Sequence, residues 1–270
     1  MSRWSLAIRI LPLVALVVAA KAGLVAAGFE PIETSPLLAS VVTANVFLLG
    51  FLLAGTLTDY KESERLPGEV ASHLESIADE CWILHTDKGV PAARECLDDV
   101  AAIGHETIGW FRGETAQGEL LARVTRLDRR FLDFEPHTQA NFISRLKSEQ
   151  ASIRSKLVRM HTIRVTGFVP AAYAIAEIGL GLLLVAMLAS AIGPLVQACF
   201  FVGVISFFLG YMLLLIRDLD DPFEHAGGDG ARGDGDEVSF APVADAVSRI
   251  EARGRELDGA RAARSVADAA

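Results

Sequence analysis

Cysteine is scarce in this chain. The three residues, Cys81, Cys96 and Cys199, form no CxxC pair, which argues against a thiol metal site or a disulfide framework and for reduced, structural thiols. The six histidines are scattered, with no HExxH and no i,i+4 pair. There is no Walker A loop, and no GxGxxG sits between a strand and a helix. Positive charge is also short: the net charge of −9 gives no support to a nucleic-acid partner. No segment alternates with period two, so a β-barrel is not the way this chain meets a membrane. Taken together, these absences point away from an enzyme, and no cofactor motif is present.

What the chain has is hydrophobic length. About half of it, 51%, is hydrophobic, and 22% is charged, but the charges avoid four windows: Leu6–Ala27, Leu37–Leu57, Val165–Ala191 and Leu195–Ile216. Each is close to the ~20 residues that a helix needs to cross ~30 Å of hydrocarbon. The first is too long for a signal peptide and is not followed by a small-x-small cleavage site and a polar domain. Lys21 lies inside this window near its outer end and is expected to snorkel to the interface.

The second window runs into "NVFLLGFLLAGTLTDYKESERLPGEV", Asn45 to Val70. Its apolar run stops at Asp59, and a cluster of both charge signs follows at once. A helix leaving a membrane for water reads this way. It is expected to continue past Tyr60 and to be interrupted or kinked at Pro67. Asp59, Glu62, Glu64 and Glu69 could bind a cation, or could form a solvated face interleaved with Lys61 and Arg65 at helical spacing.

Orientation follows from Lys and Arg. The loop Gly28–Pro36 has neither and carries two Glu, whereas the stretch Arg145–Arg164 holds six basic residues and one acid. Both termini and the long middle segment are therefore expected in the cytoplasm. Residues 59–164 read as a helical cytosolic bundle: a helix through Val70, Leu74, Ile77 and Cys81, a second opened by Pro91, a third over "GELLARVTRLDRRFLDF" stopped by Pro136, and a fourth running unbroken into the third span. The expected organisation is thus spans one and two in 1–58, the bundle in 59–164, spans three and four in 165–217, and a tail, 218–270. "AGGDGARGDGDE" makes that tail largely disordered, with a weak helix after it. Glu177, about halfway through the third span, costs at least ~2.5 kcal/mol at such depth. It reads either as a protonated side chain bonded to a neighbouring helix or as a group lining an ion pathway.

On the second helix Thr43, Phe47, Phe51 and Ala54 share a stripe, and Gly50 and Gly55 are small enough for neighbouring helices to approach. The run "VFLLGFLLAGTLTDYKESERLPGE" resembles the pore-lining second helix of bestrophins. Together with Ile216–Phe223, "IRDLDDPF", it is closer still to bacterial bestrophin-like membrane proteins. The resemblance covers the span order, both motifs and the helical middle, but not the tail. It implies an all-α membrane protein of the bacterial inner membrane, a homo-oligomer, specifically a pentamer, passing small anions such as chloride through a central pore. Thr43, Phe47 and Phe51 would form the hydrophobic neck. Asp218, Asp220, Asp221 and Glu224 would lie where animal bestrophins bind calcium, although this acidic turn is shorter and broken by Leu219. Asp59-Tyr60 also replaces the aromatic pair that follows the neck helix there. The alternative is a non-conducting membrane scaffold or sensor whose cytosolic helices bind a protein partner.

The charge asymmetry sets the first test. A reporter fused after Ala270 or inserted at Gly118 is expected to be active only in the cytoplasm, and periplasmic activity at either site refutes the topology.

Overall fold

The computed structural model describes residues 4–33, 35–166, 170–220, 223 and 238–268. Among these, eight α-helices account for nearly the whole chain: α1 (Ser5–Ala26), α2 (Pro36–Lys88), α3 (Pro91–Phe111), α4 (Gln117–Phe134), α5 (Ala140–Val165), α6 (Pro170–Ala189), α7 (Leu195–Asp220) and α8 (Ala241–Asp268). Two short strands, β1 (Ile32–Glu33) and β2 (Ser190–Ala191), pair in parallel. The chain divides into two compact units. One comprises Met1–Lys61 and Thr166–Pro222; the other, Glu62–Val165 and Phe223–Ala270.

The first unit holds the four helices long and apolar enough to span a bilayer, α1, the first part of α2, α6 and α7, and the protein is an all-α membrane protein. Its core is Val17, Leu49, Leu52, Leu180, Leu183, Val202 and Leu209, while Leu16, Ile178, Leu182, Val185 and Phe208 point outward, as lipid-bathed helices require. The close helix contacts are not made by Gly50, around which a Cβ would meet nothing within 4 Å. They fall instead at Gly179, where a Cβ would lie 2.6 Å from the Asn45 side chain, and at Gly210, where it would lie 2.7 Å from that of Ile10. Glycine lets two helices approach at such points.

Lys21 does not snorkel. It is fully buried, at 0% exposure. Its Nζ donates to Glu30 Oε1 at 2.7 Å, to the Leu188 carbonyl at 3.2 Å and to the Ser190 carbonyl at 2.5 Å. Gly28, at φ 67°, takes the left-handed turn that brings the chain back after α1, so Glu30 returns to Lys21. The two carbonyls belong to the end of α6 and to β2, where a helix C-terminus favours a cation. All three ammonium donors are used. A span-embedded lysine is thus a tie between α1, the β1 strand it leads to and the end of α6.

In the second unit α2 supplies Leu66, Val70, Leu74, Ile77 and Cys81 to a core shared with Val100, Ile103, Phe131, Phe134, Ile153 and Leu157. The α2 helix continues past Tyr60, as expected, but Pro67 does not interrupt it: the helix runs on to Lys88. Pro67 removes one hydrogen bond, yet it is buried between Leu66 and Val70, whose packing holds the helix on both sides. Pro91 opens α3 and a 3-10 turn, Glu135–His137, closes α4. The expected run from α5 into the third span is not found: α5 ends at Val165, Thr166 is non-helical, and α6 starts at Pro170.

The largely disordered tail needs the clearest correction. The Gly/Asp-rich stretch lies outside the described residues, but α8 is a full helix packed on the core. Val243, Ala246, Val247, Ile250 and Leu257 are buried, a stripe at helical spacing. Gly104 of α3 has no Cβ because one would collide with the Val247 side chain. Arg94 holds Asp258 through Nε at 3.0 Å and Nη2 at 2.8 Å, and Arg253 and Arg249 pair with Asp79 and Glu75 of α2. Ahead of α8, Phe240 stacks on Phe111 at 4.3 Å between ring centroids. The Phe223 ring, last residue of "IRDLDDPF", packs edge-on against Trp110 at 6.1 Å, Phe111 at 6.5 Å and Phe240 at 6.4 Å. Arg164 covers the other ring of the group, its guanidinium carbon 5.1 Å from the Trp110 centroid, a cation–π contact.

Two of the acids after Asp59, Glu62 and Glu69, are answered by α5. Arg159 grips Glu62 with two bonds, Nε to Oε1 at 3.0 Å and Nη2 to Oε2 at 2.5 Å, and Lys156 and Arg65 flank Glu69 at 2.5 and 2.8 Å. Arg159 and Lys156 hold these two carboxyls below the usual carboxylate range. Cys81 and Cys96 are free and buried. The neighbouring Cys96 thiol, then burial, pushes the Cys81 thiol up, so it stays protonated.

Two tests follow. Lys21→Met strands a partly buried carboxylate and two carbonyls, and the expected loss is about 3–5 kcal/mol, read as a lower melting temperature in detergent; an unchanged melt would remove the tie. For Glu62 and Glu69 the folded-state pKa lies below the unfolded one, so their contribution is present above the unfolded range, about 4.3, and is lost as pH falls through the folded values. The melting temperature should drop on acidification below about pH 5. Glu62→Gln with Glu69→Gln should lower it at pH 7 and flatten the acid slope, whereas an unaltered slope counts against this linkage.

Candidate functional site

The membrane part of α2 has two distinct sides. Asn45, Leu49, Leu52 and Thr56 are buried, at steps of four, three and four residues. Thr43, Phe47, Phe51 and Ala54 are exposed, at the same kind of steps half a turn away. Phe47 is 76% exposed and Phe51 66%, values that a residue packing within its own chain does not show. The helix builds this stripe without spending polar groups on it: the Thr43 hydroxyl donates to the Ala39 carbonyl at 2.9 Å, and further down Thr58 donates to Ala54 at 2.8 Å. Bonds of this i−4 kind leave the methyl groups outward. The structure therefore brings the three neck candidates onto one continuous exposed face, with Phe47 and Phe51 turned away from the rest of the membrane unit and Thr43 at its edge. That face is available to lipid, to another subunit or to a lumen.

Asn45 sets the rotation of the stripe. Its Nδ2 donates to the Val41 carbonyl at 3.0 Å, and its side chain fills the space that Gly179 leaves on α6. Turning α2 would drag this polar group out of its slot. Sequence reading did not single out Asn45, and the visible signal was a lone amide in an otherwise apolar window.

Glu177 lies seven residues into α6, about 10 Å along the helix at 1.5 Å per residue. It forms an ion pair with Arg217 of α7, and both side chains are about half exposed. The acid is thus matched by a base from the last turn of the neighbouring helix. Asp218 and Asp220 also belong to the end of α7; Asp221 and Glu224 lie outside the described residues. Among the described residues no group of three or more His, Cys, Asp or Glu is arranged to hold a metal ion.

No protein-family model matches the chain, and no curated protein matches it. Solved structures do. A point variant of a bacterial bestrophin homolog from Klebsiella pneumoniae has a TM-score of 0.73 at 14% identity, covering 94% of this chain and 100% of that one. A second variant of that homolog gives 0.69 at 12% identity, over 96% and 100%, and a structure described as a membrane protein gives 0.72 at 14% identity, over 94% and 99%. Four spans, a helical bundle inserted between the second and third, and a terminal helix returning to that bundle are therefore the bestrophin fold, and this chain has it.

Proposed function

We propose that the protein is an oligomeric channel for small anions such as chloride, with α2 of each of five subunits lining a central pore. The observation that carries this reading is the exposed stripe Thr43, Phe47 and Phe51, set opposite the buried face of α2 in a chain of the bestrophin fold. Packed around an axis, such stripes make a ring of phenyl groups. A narrow apolar ring excludes water and gates by dewetting, and phenyl edges present the positive rim of the quadrupole to an anion. The basic run Arg145–Arg164 before the third span, Arg217 at the end of the fourth, and the lack of any Lys or Arg in the Gly28–Pro36 loop support a reading with both termini and the helical bundle in the cytoplasm of a bacterial inner membrane. The reading requires no catalysis and no cofactor. Calcium at the acidic turn stays outside it, since that turn is shorter than the one that the resemblance to animal bestrophins implies and is broken by Leu219.

The test is a paired measurement on Phe47→Ala with Phe51→Ala. In a pore, the change widens the constriction, so anion flux into liposomes should rise while the oligomer keeps its size in detergent. If the rings pack against other subunits instead, the same change removes buried volume at roughly 3–5 kcal/mol per Phe on soluble-core figures. The assembly then weakens with no gain in flux, which overturns the channel and favours a membrane scaffold whose helices bind a partner.

A further inference from the structure

Beside the exposed stripe of α2, the membrane unit has an open cavity of about 370 Å³. Leu38, Ala39 and Val42 of α2 form one wall, and Phe201 and Ile205 of α7 form the other. Met187 of α6 is its floor, at 2% exposure. Ser35, the residue before α2, stands at one end. Thr43 also borders the cavity, but its hydroxyl is committed to the Ala39 carbonyl. The volume falls in the range of small-molecule sites, about 300–1,000 Å³, and the lining is mostly apolar.

Its depth identifies its occupant. From Pro36, where α2 starts, Thr43 is about 10 Å along the helix, and Ile205 is about 15 Å from the start of α7, at 1.5 Å per residue. That is about half of the ~30 Å hydrocarbon thickness, so the cavity is one leaflet deep. Its polar residue sits at the end where headgroups lie. A helix of a second subunit is about 10 Å wide and would lie across the mouth, whereas a single unbranched chain is narrow enough to enter between the walls. We propose that this cavity holds one acyl chain of a membrane phospholipid, entering from the leaflet at the N-terminal end of α2 with its headgroup at the level of Ser35. If the channel reading holds, that chain lies on the flank of α2 beside Thr43 and fixes how far the first turns of α2 lean toward the axis.

The probe is a phosphatidylglycerol with a diazirine on its second acyl chain, present as a trace in nanodiscs of phosphatidylethanolamine and phosphatidylglycerol that carry the full-length protein. After photolysis, labelled residues are mapped by mass spectrometry. The expected result is label on Met187 despite its burial, together with ordinary label on the outward-facing Leu182 and Val185. Ala39→Trp and Ile205→Trp, which fill the cavity from opposite walls, should each abolish the Met187 label and leave the Leu182 and Val185 label intact. Two variants guard against one that fails to fold, each checked by its size in detergent. An unlabelled Met187 in the natural sequence overturns the proposal, as does label that survives both substitutions. An unlabelled Met187 with an oligomer size altered by Ala39→Trp assigns the cavity to a second copy instead. Because nothing here depends on current, a failed lipid site and a failed channel are separate results.

Discussion

A helix passing from hydrocarbon into water keeps the same backbone hydrogen bonds, because every N–H it owns is already satisfied within the helix. That constraint allows α2 to be one element of 53 residues with its surroundings changing only at the side chains. Its buried residues run from Asn45 through Leu49, Leu52 and Thr56 to Ser63, Leu66, Val70, Leu74, Ile77 and Cys81, at steps that are sums of three and four. One stripe thus serves two chemically different cores. Before Asp59, the opposite side carries Phe and Ala; after it, Glu, Lys and Arg. The neck candidates therefore owe their exposure to a periodicity that continues, residue by residue, into a water-soluble helix.

Against this regular background, the charged groups within the spans are local and specific. Lys21 illustrates the rule that a buried charge persists only where a counter-charge and further hydrogen bonds meet it. Glu30 supplies the charge, and two carbonyls from the far end of α6 and from β2 supply the rest. Glu177 and Arg217 solve the same problem between α6 and α7. In the first pair Lys21 is fully buried and Glu30 largely so. The second is half exposed, and half-exposed pairs contribute little to stability. Their roles differ because their solvation differs, even though both were written in the sequence as ionisable residues in apolar windows.

What was legible in the sequence was periodic or compositional. Four spans, the passage of α2 beyond Tyr60, the Pro91 start and the Pro136 stop all follow from run length, from spacing and from the conformational limits of proline. What was not legible depends on partners distant in the chain. Nothing near Lys21 announces that Leu188 and Ser190 will meet its ammonium. Nothing in "PGE" shows that Leu66 and Val70 will hold the helix together across Pro67. The tail misled for a related reason. Its Gly/Asp-rich opening sets the composition, while the stripe Val243, Val247 and Ile250 becomes stable only against α3, where Gly104 leaves room for Val247. Helices of marginal propensity take most of their stability from such packing, which no local window contains. As for the site, the stripe was visible on α2 alone, but Asn45, which sets its rotation, becomes recognisable only once Gly179 is opposite it.

These two classes of information also explain how a chain 12–14% identical to solved bestrophin homologs reaches TM-scores of 0.69 to 0.73. A core built on helical stripes tolerates one hydrophobic residue for another of similar volume at under about 1.5 kcal/mol, so identity can drift while the pattern that selects the fold persists. Positions such as Gly179 beside Asn45, or Gly104 beside Val247, have no such latitude, because any side chain there meets one already in place. A fold maintained mainly by the tolerant class can be shared by sequences with little in common. The residues that the pattern leaves exposed, here the apolar face of α2, are held by neither constraint.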